Sequence, residues 1–165
     1  MAARWSDRPV EEAALFNPAF GCLLVAKAVG DYQKVSGQGL PFPLSFLVLP
    51  AVLHGDTRRA FPRSTRAVMQ NWLTENNALL SGFPGRVRHV AHLSKEAILF
   101  GLQHGKLGLS DARLSPGPHP YGPKAVLAKS TSETDECLST SAFFGRWLAA
   151  AGTPATILSS WEIRP

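Results

Sequence analysis

The chain has 165 residues, of which 45% are hydrophobic and 18% charged, and it carries a net charge of +5 at neutral pH. This length and apolar content predict a single domain over residues 1–165 and exclude a chain that is disordered throughout. The mild positive charge fits either nucleic acid or an acidic protein partner and does not decide between them. The low charged fraction suggests that some apolar surface is kept for another subunit.

The cysteines and the longest apolar run indicate the cellular compartment of the protein. Cys22 and Cys137 stand far apart without a CxxC spacing, so we expect both to be buried, reduced packing residues of an intracellular protein. The first residues lack the apolar core of a signal peptide. The longest apolar run, residues 40–53, contains three prolines and is shorter than a membrane-spanning helix requires. The sequence predicts a cytoplasmic protein that makes no membrane contact.

The first predicted helix begins at Asn17-Pro18, because Asn is a favourable N-cap and Pro suits the first helical position. Helical spacing of apolar residues extends it over about residues 18–34, and the segment 36–39, rich in Gly, should end it. Residues 44–53 are apolar on all sides and predict a central helix, which Pro50 should kink or limit in length.

The middle of the chain predicts further helices and then a hairpin. Ser64 or Thr65 should cap a third helix, Pro84 should open a short one, and Ser94 should cap the next. Gly105 should end that helix, and a β-hairpin should follow over residues 106–115 with its turn at residues 110–112. This order of elements is typical of winged-helix domains, so a winged-helix-like portion is predicted over residues 64–115.

The last third begins with a Pro- and Gly-rich surface loop over residues 116–123 and a possible strand over residues 125–128. Ser132 or Thr134 should cap a long helix, and Thr153 should precede a short terminal helix. The predicted fold class is therefore mainly α, or α+β in detail. We expect a compact helical domain with a winged-helix-like portion and a small β-hairpin.

Four arginines within nine residues form the most distinctive feature: Arg58, Arg59, Arg63 and Arg66. They are expected to be solvated, because in the sequence only Asp56 lies close enough to neutralise them. Guanidinium groups suit carboxylate or phosphate partners, so the cluster predicts a surface that binds a partner protein or DNA. A solvated helix entrance that merely keeps the chain soluble is an equally open interpretation.

No catalytic, metal or cofactor site is predicted. His89 and His92 have the spacing of metal ligands on one helix face, but no Cys, Asp or Glu nearby completes a set, and arginines lie beside them. Nucleotide-binding glycine loops and the common hydrolase motifs are absent from the sequence. The acidic pairs at 11–12 and 135–136 stand near predicted helix starts, where the helix dipole explains them.

The aromatic residues are mostly assigned to the core, since Trp72 and Trp147 fall on apolar helix faces. Trp5 and Trp161 lie near the termini, outside strongly periodic segments. Aromatic residues in such places either anchor a terminus or fill a pocket of a partner. Both interpretations are left open for each of them.

Several segments taken together resemble one bacterial family. They are Arg8-Pro9-Val10-Glu11-Glu12-Ala13, Leu15-Phe16-Asn17-Pro18-Ala19-Phe20, the block from Leu40 to Pro50 followed by Leu53-His54, Pro62-Arg63-Ser64-Thr65-Arg66, Lys95-Glu96-Ala97-Ile98-Leu99-Phe100-Gly101-Leu102, Phe144-Gly145-Arg146-Trp147, and Trp161 with Arg164-Pro165. They resemble the small middle component of bacterial three-component ABC-ATPase systems, and the similarity covers nearly the whole chain.

The resemblance implies a function that composition does not show. Such proteins act beside a large SMC-like ABC ATPase and an effector, commonly a nuclease, in Lamassu-type defence against phages or plasmids. The middle component looks like a non-catalytic adaptor that binds near the ATPase heads and holds or regulates the effector. DNA would then be reached through the complex, because the hairpin is basic only at Lys106 and Arg113.

The sequence therefore leaves three hypotheses. The favoured one is the adaptor subunit, with Arg58, Arg59, Arg63, Arg66, Trp5, Trp161 and Arg164 as the residues that bind a partner or DNA. The alternative is a stand-alone winged-helix DNA-binding regulator, which the arginine cluster and the positive charge favour. A third and weaker one is an enzyme whose site is completed only by a partner subunit.

Overall fold

The computed structural model of the protein describes residues 17–122 and 131–164. The features of the sequence analysis that lie outside these ranges are Trp5, the resemblance segments before residue 17 with the acidic pair at 11–12, the last residue of the loop 116–123, the possible strand at 125–128, and Pro165. In chain order the described elements are α1 (Pro18–Ser36), β1 (Leu40–Pro41), α2 (Phe42–Ser45), α3 (Val48–Val52), α4 (Gly55–Ala60), α5 (Met69–Glu75), α6 (Asn77–Leu80), α7 (Phe83–Gln103), β2 (Leu107–Ser110), β3 (Arg113–Pro116), α8 (Ser132–Ala150) and α9 (Pro154–Ser160). The mainly α fold with a small β-hairpin is confirmed.

Helix α1 forms where the sequence predicts it. The Asn17 side chain accepts a hydrogen bond from the backbone N–H of Ala19 at 2.8 Å, and Pro18 occupies the first turn. The helix ends at Gly37, whose φ of 73° is left-handed. Buried residues occur all around α1, because it lies between α7 and α8 and packs on both.

Two glycines allow the three long helices to approach closely. A Cβ at Gly145 of α8 would collide with the backbone carbonyl of Ala28 in α1. A Cβ at Gly101 of α7 would lie 2.9 Å from the Cys22 sulfur and 2.7 Å from the Leu107 side chain. Any larger residue would force the helices apart, so these positions set the distances between α1 and its two neighbours.

The apolar block after α1 is buried, as predicted, but it is not one helix. It contains β1 and the short helices α2 and α3, and Pro50 lies inside α3. Leu44, Leu47 and Leu49 are almost completely buried. The prolines explain the division, since each removes a backbone donor and restricts the residue before it, which limits helix length.

The sheet has three antiparallel strands in the order β1-β3-β2. The predicted hairpin is confirmed: β2 pairs with β3, and the turn residues Asp111 and Ala112 have φ of 52° and 57°. Leu40 of β1 pairs with Leu114 of β3. The winged-helix-like portion over residues 64–115 stays a prediction, and its hairpin pairs with a strand that precedes that range.

Two predicted helix starts in the middle of the chain are wrong. Helix α5 begins only at Met69, and Ser64 instead accepts a local bond from the N–H of Arg66 at 3.2 Å within the preceding loop. Ser94 is a buried residue inside the continuous helix α7. Its neighbours Val90 and Ala97 continue one buried stripe, so the periodicity overrides the local preference of Ser for a cap.

The last two helices are close to prediction. Thr131, not Ser132 or Thr134, is the N-cap of α8, and it shares a reciprocal capping box with Thr134. Thr153 caps α9 as expected. No helix within residues 17–122 and 131–164 combines the length and the apolar character that crossing a membrane requires.

Candidate partner interface

The four arginines occupy different environments. The prediction that all four are solvated is wrong for Arg58. Arg58 is only 4% exposed. Its Nη1 donates to the carbonyl of Val52 at 2.8 Å, which satisfies a carbonyl at the end of α3. Its Nη2 lies 3.3 Å from Glu133 and its Nε 3.2 Å from Glu136. All of these contacts are within the chain, so Arg58 is a structural residue of the interior.

The carboxylates that neutralise Arg58 come from the first turns of α8. Glu133 is 75 residues away from Arg58 in sequence, so no local pattern could have paired them. Both carboxylates remain partly hydrated, with exposed side-chain fractions of 77% for Glu133 and 41% for Glu136. Arg58 therefore ties α3, α4 and the start of α8 together.

Arg59 is exposed and has a local partner. Its Nη2 lies 2.9 Å from Asp56 one helical turn earlier, and both side chains are more than half exposed. Exposed pairs of this kind contribute about 0.3–0.5 kcal/mol. Arg59 is thus partly neutralised and available at the surface.

Arg63 and Arg66 lie on the connection between α4 and α5, which we call the arginine loop (residues 61–68). Both are exposed, and neither has a carboxylate within ion-pair distance in the described part of the chain. Val68 at the end of the loop is 56% exposed, a high value for an aliphatic residue. Two guanidinium groups without a described carboxylate partner therefore belong to the same loop as an exposed apolar side chain.

The arginine loop is held on the core at both of its ends. The indole N–H of Trp72 donates to the carbonyl of Ala60 at 2.9 Å, and that of Trp147 donates to the carbonyl of Ala67 at 2.7 Å. Between these two bonds, the Phe61 ring inserts into the aromatic core with its centroid 5.3 Å from Trp72 and 5.6 Å from Trp147. The loop is consequently fixed before any partner arrives.

The two terminal candidates differ in position. Trp161 is 3% exposed, its ring centroid lies 4.6 Å from Phe83, and its indole nitrogen lies 3.2 Å from the Met69 sulfur. It therefore anchors the C-terminus in the core, which is one of the two interpretations left open. Arg164 is exposed. Trp5 lies outside the described residues.

A groove of about 510 Å³ opens beside Arg58 and was not foreseen from the sequence. We call it the α1–α8 groove, because both helices begin at its edge. Its described lining comes from five helices and their caps: Asn17, Phe20, Leu49, Pro50, Leu53, His54, Arg58, Arg86, Val90, Thr131, Glu133, Thr134 and Cys137. Five separate segments contribute, which explains why no single stretch of sequence signals it.

A chain of hydrogen bonds crosses one side of this groove. Arg86 Nη2 donates to Thr57 Oγ1 at 3.0 Å, and that hydroxyl lies 2.8 Å from His54 Nδ1. The backbone N–H of Thr57 also donates to Nδ1, so Nδ1 is an acceptor and the neutral ring carries its proton on Nε2. Burial lowers the pKa of His54, and the positive charge of Arg86 lowers it further.

Arg86 itself is a half-buried cation without a close carboxylate. Burial lowers the pKa of its guanidinium, and Asp56 opposes that shift only from a distance. Its charge also lies over the Phe83 ring, with the guanidinium carbon 5.4 Å from the ring centroid. No described carboxylate lies within ion-pair distance of Arg86.

The remaining chemical candidates do not assemble into a site. Among the described residues there is no group of three or more His, Cys, Asp or Glu side chains placed to hold a metal ion. His89 and His92 are exposed on α7. Cys22 and Cys137 are buried free thiols, as predicted, and burial raises the pKa of both.

Comparison with known families identifies the chain. Neither the curated proteins nor the solved structures yielded a match. A family model, in contrast, matches residues 5–165, which is almost the entire chain, and it describes Middle Component 3 of the ABC-three component (ABC-3C) systems. The chain therefore belongs to the MC3 family of middle components of three-component ABC systems.

Proposed function

We propose that the protein is a non-catalytic, cytoplasmic adaptor subunit of an SMC-like ABC-ATPase complex that defends against phages or plasmids. It contacts the ATPase heads and holds or regulates a nuclease-like effector, as its resemblance to Lamassu-type components suggests. The observation that supports this role best is the arginine loop. It offers two cations without an ion-pair partner among the described residues, on a backbone that the core already holds in place.

A fixed loop suits the recognition of one defined partner. Because the two indole bonds and Phe61 hold the loop, little conformational entropy is lost when a partner binds. Arg63 and Arg66 can each form a bidentate pair with a carboxylate, and Val68 can bury its apolar surface beside them. Arginines around an apolar centre are typical of a protein interface.

A protein partner is favoured over direct DNA binding for a reason of charge density. Duplex DNA binding depends on many phosphate contacts, and each contributes to the salt dependence. Of the four arginines in the cluster, Arg58 is neutralised in the interior and Arg59 is paired with Asp56, which leaves Arg63 and Arg66. Two cations suit a pair of carboxylates better than a phosphate backbone, so DNA is reached through the complex.

The test is co-expression with the ATPase and the effector that neighbouring genes encode, followed by size-exclusion chromatography. The wild-type chain should elute in a stoichiometric complex, and the double variant Arg63→Ala, Arg66→Ala should dissociate from it more readily. Loss of a charge-assisted pair in a desolvated interface costs about 2–5 kcal/mol. Arg88→Ala on the exposed face of α7 is the matched control and should leave assembly unchanged.

Two results would contradict the proposal. One is a wild-type chain that elutes as a monomer in the presence of the ATPase. The other is a double variant that assembles normally while the isolated protein loses binding to duplex DNA. That second result would favour the stand-alone DNA-binding regulator.

A further inference from the structure

The α1–α8 groove has hydrogen-bond acceptors that are already occupied. The Glu133 carboxylate is bound by Arg58, and the Asn17 side-chain oxygen accepts from the N–H of Ala19. The hydroxyl of Thr131 accepts from the N–H of Thr134 in the capping box of α8. Each of these groups thus commits one oxygen to a helix end or to a buried cation, and Arg58 offsets the charge of Glu133.

The donors along the groove are in surplus. Arg86 donates to Thr57, and Thr57 donates to His54 Nδ1. The Nε2–H of His54 therefore has no acceptor among the described residues. Arg86 uses Nη2 for Thr57, and no described residue accepts from its Nη1. Two donors on side chains that Thr57 links, one of them positively charged, favour an acceptor that bears negative charge.

One helix end at the edge of the groove acts in the same direction. Both α1 and α8 are 19 residues long, and each begins at the groove, through Asn17 and Thr131 respectively. The first turn of α1 contains no acidic residue, so its peptide dipoles place partial positive charge there, whereas Glu133 and Asp135 offset the dipole of α8. The electrostatic preference for an anion therefore has three sources: Arg86, the His54 donor and the N-terminus of α1.

The rest of the groove is apolar. Its wall is formed by Phe20, Leu49, Pro50, Leu53 and Val90. A volume of about 510 Å³ lies within the range of roughly 300–1,000 Å³ that is typical of pockets for drug-sized ligands. An occupant that fits would combine an anionic group with adjoining apolar groups.

We propose that the α1–α8 groove binds a short acidic and apolar peptide segment of a partner subunit, with its carboxylate on Arg86 and His54. This inference rests on the proposed function, because the segment is supplied by another component of the complex. The chain itself carries 17 Lys and Arg residues against 12 Asp and Glu residues, so an acidic segment is complementary to it. The groove would be a second contact, separate from the arginine loop.

The experiment is photo-crosslinking within the three-component complex. A diazirine-bearing aliphatic amino acid replaces Leu53, which lines the apolar wall and is only half-buried. After irradiation, mass spectrometry should locate the adduct in a partner subunit, within a segment that contains Asp or Glu among apolar residues. An adduct to residues 1–16 or 123–130 of the same chain would overturn the proposal, as would an adduct to a second copy.

The charge is tested with matched variants of α7 in the same background. Arg86→Gln should lower the adduct yield about tenfold, whereas Arg86→Lys should retain part of it, because the positive charge remains. Arg88→Gln removes an exposed charge from the same helix and should leave the yield unchanged. A charge exchange should restore the adduct. It combines Arg86→Glu with replacement of the mapped Asp or Glu of the partner by Lys or Arg.

The outcomes separate this inference from the proposed function. A complex that assembles normally but gives no adduct at Leu53 would overturn the groove alone. An adduct whose yield is the same in Arg86→Gln would also overturn it, since the carboxylate would then bind elsewhere. A wild-type chain that does not assemble would overturn both.

Discussion

Arg58 and Arg63 belong to one short segment, yet they occupy opposite environments. Arg58 is 4% exposed and is surrounded by the Val52 carbonyl and two glutamates. Arg63 is exposed on the arginine loop, without a described carboxylate in reach. The first guanidinium connects elements of the same chain, and the second is available to another molecule.

The difference shows that like charges close in sequence need not act together. A buried cation is tolerated only when it is paired and hydrogen-bonded, and the start of α8 supplies what Arg58 needs. No described carboxylate lies within ion-pair distance of the two arginines of the arginine loop. A functional interpretation of this cluster must therefore exclude Arg58 and concentrate on Arg63 and Arg66.

Substitution of Arg58 should have the largest effect on the free energy of unfolding. Arg58→Met keeps the aliphatic packing, but it leaves the Val52 carbonyl without its donor and removes both ion pairs. We expect a loss of about 2–3 kcal/mol, since the two glutamates can be rehydrated at the surface. Urea denaturation of the isolated protein measures it.

A double-mutant cycle is the control for Arg58. Glu133→Gln and Glu136→Gln should each destabilise the wild-type chain but have little effect in the Arg58→Met background, because their partner is already gone. A loss below 0.5 kcal/mol for Arg58→Met, a value typical of surface substitutions, would mean that this arginine is solvated in solution.

The anchors of the arginine loop should have the next largest effect. Trp147→Phe keeps most of the ring packing but removes the indole donor to the Ala67 carbonyl. We expect about 1–2 kcal/mol of destabilisation, together with weaker assembly although both arginines are intact. Trp72→Phe, which removes the bond to the Ala60 carbonyl, is the matched variant for the other end of the loop.

A variant of Trp147 that assembles as tightly as the wild type would show that the position of the loop does not matter for the partner. The measurement is the dissociation constant of the complex by biolayer interferometry at several temperatures. Destabilisation without any change in affinity would place the partner site away from the arginine loop.

His54 should give a smaller, pH-dependent effect. Burial and the cations Arg86, Arg59 and Arg58 lower its pKa below the ordinary value of 6.5, and Asp56 acts against them. The unfolded chain therefore binds a proton on this ring before the folded chain does. Stability should fall as the pH decreases from about 6.5 toward the folded pKa, and it should be complete above that window.

His54→Asn tests this dependence without removing the helix cap. The His54 side chain caps α4 by accepting from the N–H of Thr57, and Asn can accept the same bond but does not titrate. The variant should show a flatter loss of stability between pH 7 and 5 than the wild type. His92→Asn, an exposed histidine on α7, is the control and should keep the slope of the wild type.

Local signals predicted those parts of the fold that local chemistry determines. Both ends of α1 could be predicted from Asn17, Pro18 and the Gly-rich segment that contains Gly37, because caps act within a few residues. Asp111 and Ala112 fell inside the predicted hairpin turn. The MC3 family also agreed with the resemblance carried by the longer motifs.

Errors arose where distant residues decide the outcome. Ser94 has the composition of a cap, but burial against other elements keeps it inside α7. The environment of Arg58 depends on Glu136 and on Glu133, which is 75 residues away, and the α1–α8 groove is formed by five segments. Neither can be derived from spacing along a single helix, because both require the packing of α1, α7 and α8.

The smallest effect on stability should come from the residues that are most important for assembly. Arg63→Ala and Arg66→Ala, alone or together, remove exposed side chains without a described ion-pair partner, so the free energy of unfolding should change by less than about 0.5 kcal/mol. The complex should nevertheless weaken at least tenfold. Arg59→Ala breaks the exposed pair with Asp56 and should have an equally small effect on stability.

These three variants and Arg58→Met together separate structural from functional arginines within one segment. If stability and assembly fall in parallel for all four, the exposed residues act only through folding, and the arginine loop is not an interface. If Arg58→Met lowers stability alone while Arg63→Ala and Arg66→Ala lower assembly alone, the loop binds the partner directly. The second pattern is the expected one, because the core holds the loop backbone through Phe61 and the two indoles, independently of the arginine side chains.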